Sequence, residues 1–459
     1  MGRRFHLRTF GCQMNQHDAE KIANLLHHEG FRPSDEPRRA DLVLIHTCSV
    51  REKAEQKLYS ELGALTRLKA DSGRPILGVG GCVAQQEGGA LLRRFPALDF
   101  VFGPQNLVHL PALVRAADGR ARSLRVDYDG DVQARFELPE RHPEYSSPTP
   151  GRAFVTVMEG CDLFCTYCVV PRTRGREVSR PARTILEEVR RRAGEGAREV
   201  TLLGQTVNAY GRPRPHRGGG EVPFAELLRR IAHVPGIERI RFTSPHPLFM
   251  SEDLIAAYGE IDALCPHLHL PVQSGSSRVL AAMRRRYDRK DYLRIVERLR
   301  KVRPDLALTT DVIVGFPGET REDFEQTLSL LQEANTVDAF SFKYSPRPGT
   351  PAERQGRVPV DAREASERLL ELQAEQRART LAAHRARVGS RTRVLVEGAS
   401  RRGSGQVCGR CPQNRVVNLT ADRVLHPGER VDVRIVAATP HSLLAEPLGT
   451  RASLELPVV

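Results

Sequence analysis

No apolar run in this 459-residue chain approaches the roughly 18 residues that a membrane-spanning helix needs, so no membrane span is expected. Met1 to Arg8 lacks an apolar h-region, and no signal peptide is expected either. A transit peptide is disfavoured because motif residues begin by Cys12. Acidic residues are in deficit: 56 Asp and Glu stand against 70 Lys and Arg, a formal net charge of +14. That balance suggests a polyanionic partner, most simply nucleic acid; the plain alternative is an Arg-rich proteome with no such partner. Paired cysteine spacing is also scarce. The chain has 9 cysteines, an odd number, and clustered spacing in a reducing compartment reads as metal binding rather than disulfides. The expectation is a cytoplasmic protein of about two to four domains.

What is present is organised around Cys161-Asp-Leu-Phe-Cys165-Thr-Tyr-Cys168. This C-x3-C-x2-C loop follows an extended apolar run, Ala153 to Met158, with Gly160 just before it. Such a loop can fold three thiolates around one face of a cubane. A 4Fe-4S cluster normally takes four cysteines, so three leave one iron open for a substrate or cofactor. The competing readings are a zinc site or unrelated buried thiols. Zinc usually shows paired C-x2-C units with a fourth ligand nearby, and none follows here. With Tyr167 just before the last cysteine, the loop resembles the radical S-adenosylmethionine (SAM) superfamily. The resemblance implies that the open iron chelates SAM, whose sulfonium then breaks to a 5′-deoxyadenosyl radical, with Tyr167 beside the cofactor.

Residues 1–120 alternate strand, loop and helix. Strands are expected over Phe5–Thr9, Ala40–His46, Pro75–Val79 and Leu98–Phe102. A turn is expected over Gly11–Asn15, a helix over Asp18–His28, and a polar helix from Arg51. The pattern predicts an open parallel α/β sheet. Ligands bind such sheets at the carboxyl ends of strands. Cys12, Cys48 and Cys82 each lie just beyond such an end, so they should converge on one rim as a second three-thiolate set. A single buried Cys is more often inert packing. Gly11-Cys12-Gln13-Met14-Asn15, Thr47-Cys48-Ser49-Val50-Arg51-Glu52-Lys53-Ala54 and Gly81-Cys82-Val83-Ala84-Gln85-Gln86 resemble the amino-terminal domain of the methylthiotransferase family, tRNA-modifying branch. Where that branch usually has Asn, this chain has His46, a change that bears on hydrogen bonding to a cluster sulfur.

Residues 121–150 read as a linker or a lid, broken by Pro139, Pro143, Pro148 and Pro150 with Ser146 and Ser147. Over residues 151–376 six strand–helix units predict a partial (β/α)6 barrel, since a full eight-unit barrel would need more chain. Motifs follow the strand ends: Gly204–Asn208, Thr243–Pro247, Pro271–Ser276 and Gly315–Glu319. Each alone could be a turn, and four at one rim argue for a site. The superfamily resemblance makes Gly204, Gln205, Gln273, Ser274 and Gly315 candidates for SAM contact. Arg284-Arg285-Arg286-Tyr287 reads either as a solvated charge run or as a segment meeting SAM or RNA phosphate. Cys265 reads as structural.

Residues 377–447 begin with a polar helix over Gln373–Arg387, followed by five short strands that predict a small all-β barrel. Between Arg385 and Arg434, eleven Arg face only Glu397, Asp422, Glu429 and Asp432. A basic barrel suits RNA, where phosphate supplies most affinity. Val394–Gly398 and Asn414–Val417 resemble the TRAM domain. Cys408-Gly-Arg-Cys411 is one C-x2-C pair without a second, and no metal is expected there.

The three segments together resemble the MiaB-type tRNA methylthiotransferases. The resemblance implies methylthiolation of C2 of N6-isopentenyladenosine next to the anticodon. It implies two 4Fe-4S clusters, one on Cys161, Cys165 and Cys168 and one on Cys12, Cys48 and Cys82, together with SAM. It also implies tRNA and a flavodoxin- or ferredoxin-like reductant as partners, with the chain acting as a monomer. The nearest rival is a sister enzyme acting on threonylcarbamoyl-adenosine or a ribosomal protein aspartate. A rival of another class is a non-catalytic iron–sulfur RNA-binding protein, which would need no SAM pocket.

Overall fold

The strand Leu42–Thr47 is buried along its whole length, as a central strand of a parallel sheet must be when helices cover both faces. Its side chains divide by period two. Leu42 and Leu44 enter one apolar cluster with Phe5, Ile22, Leu26 and Phe100, while Val43 and Ile45 enter another with Leu58, Leu62, Val79 and Leu91. The computed structural model describes all residues except 1, 50–51, 129–135, 137–138, 143–144, 146–148, 213–221, 355, 401–404, 422 and 449–459. Of the residues singled out above, Val50, Arg51, Pro143, Ser146, Ser147, Pro148, Arg401, Arg402 and Asp422 lie outside those described.

The amino-terminal part runs β1 (Arg4–Thr9), α1 (Gln13–His28), β2 (Arg32–Pro33), β3 (Leu42–Thr47), α2 (Glu52–Ser72), β4 (Ile76–Gly81), α3 (Cys82–Glu87), α4 (Gly89–Arg94), β5 (Phe100–Phe102), α5 (Leu110–Asp118) and β6 (Ser123–Arg125). Its sheet has the order β2-β1-β3-β4-β5-β6 and is parallel throughout. The two edge strands went unpredicted because pieces of two or three residues carry no periodicity. The expected turn at Gly11–Asn15 is instead the start of α1, with Cys12 as its N-cap. Asn15 supplies a side-chain acceptor for the Cys12 amide at 3.4 Å, which lets the helix begin without Ser, Thr or Asp at its cap.

The central part runs β7 (Arg152–Thr156), β8 (Met158–Glu159), α6 (Val170–Thr173), β9 (Val178–Ser179), α7 (Ala182–Gly194), β10 (Glu199–Leu203), α8 (Phe224–Ala232), β11 (Arg239–Phe242), α9 (Glu252–Glu260), β12 (His267–His269), α10 (Ser277–Ala282), α11 (Arg289–Val302), β13 (Ala307–Val314), α12 (Arg321–Glu333), β14 (Asp338–Lys343), α13 (Pro351–Arg354) and α14 (Ala362–Arg385). Two parallel three-stranded sheets, β11-β10-β7 and β12-β13-β14, meet through the Ile240–Leu264 bridge. The result is a six-stranded partial barrel in which β7 and β14 are not paired. Helix α14 starts well before the expected Gln373, because Asp361 Oδ1 accepts from the amides of Arg363 and Glu364. Its inward face carries Arg368, Gln376 and Thr380, so a search for apolar periodicity passes over it.

The tail runs β15 (Arg391–Ala399), β16 (Gln406–Arg410), β17 (Val416–Thr420), β18 (Arg430–Ala438) and β19 (Leu443–Pro447) and closes as a barrel, β15-β16-β17-β19-β18. Strand β18 alternates strictly, with Val431, Val433 and Ile435 inside and Arg430, Asp432 and Arg434 outside. Two buried guanidinium groups seat this barrel on the central one. Arg239 donates to the carbonyls of Arg410 and Arg393 at 3.0 and 2.7 Å. Arg241 donates to Pro412 and Cys411 at 2.9 and 3.0 Å. Behind them Glu199 lies 3.0 Å from the Arg241 Nε. No helix among the described residues is long and apolar enough to cross a membrane.

Candidate active site and its two cysteine clusters

Cys161, Cys165 and Cys168 come together with Leu163, Tyr167 and Phe249 in one small cluster at the end of β8. The loop turns sharply to do this. Gly160 has φ +79°, and a Cβ there would sit 2.1 Å from the Arg176 carbonyl oxygen, so only glycine fits. The Gln205 side chain accepts from the Gly160 amide, and the Thr206 hydroxyl lies 3.1 Å from the Cys161 sulfur. Both residues belong to the motif after β10, which therefore braces the cysteine loop.

Burial, then the nearby sulfurs of Cys165 and Cys161, push the Cys168 thiol up to about 12. Burial likewise raises Cys161, against the Thr206 hydrogen bond. Three sulfurs whose charges oppose one another in a dry pocket require a cationic centre to ionise together. One fixed cation is already present. Arg285 is only 5% exposed and donates to the Cys165 sulfur at 3.6 Å and the Tyr167 hydroxyl at 3.4 Å. It also donates to the Pro271 carbonyl at 3.0 Å. The Arg284–Arg286 run is thus not uniformly solvated. Arg284 and Arg286 take φ of +56° and +60° and face out, and Arg285 and Tyr287 between and after them turn in.

The second set lies at three strand ends, Cys12 after β1, Cys48 after β3 and Cys82 after β4. The Cys12 thiol meets that of Cys48; this hydrogen bond lowers Cys12 to about 6 against the opposing effect of burial, helped by the Asn15 and Met14 amides and the Arg174 charge. Gly11 has φ +137°, and a Cβ there would fall 2.5 Å from the Cys48 Cβ. Cys82 is raised by burial and drawn back by Arg174, with the Cys12 charge acting on it too. Around these sulfurs lie buried polar atoms with no hydrogen-bond partner among the described residues: Thr47 Oγ1, Ser49 Oγ and His46 Nε2, the last 3.9 Å from Asp18 Oδ2. No three His, Cys, Asp or Glu side chains among the described residues close on a point as ligands of a single ion do. A cubane takes each thiolate at a separate iron corner, and three thiols in each set fit a cluster by the chemistry of their donors.

His46 does not reach a sulfur. Its Nδ1 lies 3.3 Å from Asn15 Nδ2, and Asn15 Oδ1 accepts from the Cys12 thiol at 3.2 Å. The influence of His46 on the ligand is therefore relayed through Asn15. Burial lowers the imidazole to about 4, with Asp18 opposing and Arg174 assisting, so it stays neutral.

Arg174 joins the two sets. It follows the Cys161–Cys168 loop and α6, which packs on α3, the helix headed by Cys82. Its Nη2 donates to Asp18 Oδ2 at 2.6 Å with both side chains 3% exposed, and its Nη1 lies 3.9 Å from Glu159. Burial pushes the Asp18 carboxyl up, and the Arg174 charge and hydrogen bond together with the other nearby bases outweigh it, so Asp18 sits below its ordinary value. Gln105 holds the Arg174 carbonyl at 2.7 Å. A pairing of residues 156 positions apart has no signature in the sequence.

The remaining expected residues fall along the strand ends. Gly204 packs against Met158 at the end of β10. Gln273 takes φ +77° and bonds through its backbone to Asp311 and Ile313. Ser274 is buried, its hydroxyl 3.4 Å from Thr327 and accepting from the Ser276 amide. The Gly315 amide donates to Glu319 at 2.9 Å, and Glu319 is paired with Arg368. The 121–150 segment begins as strand β6 of the amino-terminal sheet, and its residues 139–142 are strapped to α1: Asn24 bonds the Pro139 and Glu140 carbonyls and the His142 amide. Cys265 and Cys411 are buried near the seam with the tail.

Family profiles match the chain in three blocks: the radical SAM superfamily over residues 155–331, the uncharacterized protein family UPF0004 over residues 4–103 and the TRAM domain over residues 385–448. A tRNA-2-methylthio-N(6)-dimethylallyladenosine synthase of Geobacter metallireducens is 50% identical over 441 residues, covering 96% of this chain and 97% of that protein. The chain belongs to this synthase family. A Thiobacillus denitrificans relative of the same name is 47% identical, with 97% and 98% covered. The family assignment favours the expected reading over the sister enzymes and over a non-catalytic binder. Among solved structures, the radical SAM methyltransferase TsrM of Kitasatospora setae aligns with TM-score 0.54 at 15% identity over 77% of this chain and 78% of that one. That likeness is one of fold.

Proposed function

We propose that this chain methylthiolates C2 of N6-isopentenyladenosine next to the anticodon of tRNA, with SAM and two 4Fe-4S clusters. The observation that carries this reading is the placing of two three-cysteine sets on either side of the segment 169–176, in a chain of the synthase family. We assign the central cluster to Cys161, Cys165 and Cys168 and the auxiliary cluster to Cys12, Cys48 and Cys82. SAM is assigned to the strand ends at Gly204, Gln205, Gln273, Ser274 and Gly315, with Tyr167 beside the loop. Bound there, the central cluster and SAM would supply one-electron cleavage and a hydrogen-abstracting radical, and the auxiliary cluster would hold or supply the sulfur.

The chain's own residues hold the geometry for this. Gln205 and Thr206 fix the cysteine loop, and Arg285 offsets thiolate charge inside a pocket closed by Leu163 and Phe249. Arg174 fixes the spacing of the two sets. The linker ends on α1, the barrel occupies residues 151–376 and the tail serves as an RNA grip. In this reading the chain works as a cytoplasmic monomer and takes its electrons from a flavodoxin- or ferredoxin-like protein. Nucleoside mass spectrometry of tRNA from a strain lacking the gene tests the activity. The methylthio nucleoside should vanish and isopentenyladenosine accumulate; unchanged methylthio content would overturn the assignment.

A further inference from the structure

Away from both cysteine sets, a cleft of about 420 Å³ opens between the edge of the central barrel and the tail. One wall is β14, which among the described residues pairs with β13 alone and so presents its other edge. Phe340 and Phe342 lie on one face of that strand and are 53% and 40% exposed. Among the described aromatic residues only Tyr128 and Phe164 are comparably bare. Phe340 is held in place by an edge contact with His269, ring centroids 5.8 Å apart. The lining also includes Arg415 from the tail and, on the Ser341 side of β14, Arg377 from α14, neither in an ion pair among the described residues; Asp338 is the one acid in the lining. His384 lines the cleft as well. Its Nδ1 is 2.7 Å from the Thr439 carbonyl, and its buried Nε2 has no partner. With Nδ1 as the donor, Nε2 is left as an acceptor.

Bare rings in one cleft with the unpaired Arg415 guanidinium form a platform for unstacked bases and their phosphates, which a duplex cannot present. We propose that this cleft binds a single-stranded loop of RNA, its bases on Phe340 and Phe342 and its phosphates on Arg415. The proposal rests on the tRNA reading above and names the surface that would receive the anticodon loop. It spans the central barrel and the tail, so recognition would not belong to the tail alone.

The test uses the full-length, cluster-loaded protein with two probes, an anticodon stem–loop hairpin and the stem closed as a plain duplex. Phe340→Leu and Phe342→Leu keep apolar bulk and remove the π-face. Each should weaken hairpin binding about five- to a hundredfold without changing its salt slope. Arg415→Gln should lower the salt slope by about 0.7, and Phe340→Tyr should restore near-wild-type affinity. Duplex binding should not respond to the Phe variants. Wild-type hairpin affinity in both Phe→Leu variants, or equal losses on both probes, would overturn the cleft alone. A wild-type protein that binds neither probe would overturn the tRNA reading with it. A dimer lost on Phe340→Leu would mean that a second copy covers the cleft, and would also overturn it.

Discussion

Replacing Arg174 by Met should loosen the contact between the amino-terminal sheet and the central barrel. The change strands the Asp18 carboxylate, 3% exposed and bonded to Arg174 at 2.6 Å. His46, the next nearest base at 3.9 Å, is held neutral, and Glu159, itself buried, loses its facing cation. Breaking a buried pair by removing one partner costs about 3–5 kcal/mol. That corresponds to about a hundred- to several-thousandfold in a local opening equilibrium. Native-state hydrogen exchange in α1 and in residues 170–176 reads this directly, up to the limit set by global unfolding. Adding Asp18→Asn to Arg174→Met removes the stranded charge and should recover much of the protection. Wild-type exchange in Arg174→Met, or no recovery in the double variant, would refute the idea that this pair couples the two cysteine sets.

Reconstituted protein should hold about eight irons, and Cys161, Cys165 and Cys168→Ala, or Cys12, Cys48 and Cys82→Ala, should each leave about four. An iron assay showing all eight in either variant would refute that ligand set. Arg285→Met removes the donor to Cys165 and Tyr167 and should lower the reduction potential at which the central cluster accepts an electron; a spectroelectrochemical midpoint unchanged from wild type would count against it. Arg241→Met should expose the tail seam to protease, since it frees two carbonyls and leaves Glu199 with only Arg239, 3.7 Å away; an unchanged digestion pattern would mean the seam is held elsewhere. Burial, then the charges of Arg285 and Arg286, hold the His246 imidazole far below its ordinary 6.5. An unfolded chain then binds the extra proton, so stability should fall as pH drops below 6.5 and stay level above it. Urea midpoints at about pH 7.5 and about pH 5.5 should differ less in His246→Gln than in wild type.

Local pattern carried much of this molecule. The wholly apolar β3 and the alternating β18 each state their burial in a few consecutive residues, and six strand–helix units state a partial barrel. The C-x3-C-x2-C loop and the three cysteines after strand ends needed only the rule that parallel strands offer their carboxyl ends to ligands. Where partners are near in sequence or fixed by topology, residue type and spacing suffice.

The tertiary structure decided the rest. Helix α14 begins at Ala362, eleven residues before the expected Gln373, because a cap and a polar inner face set it. The Arg284–Arg286 run splits into two exposed cations and one buried against a cysteine. His46 acts through Asn15 rather than on a sulfur. Arg174 and Asp18, and the cleft between β14 and the tail, join residues far apart in the chain. Burial and charge pairing depend on what the fold places opposite a side chain, and sequence spacing reports only what lies along the same strand or helix.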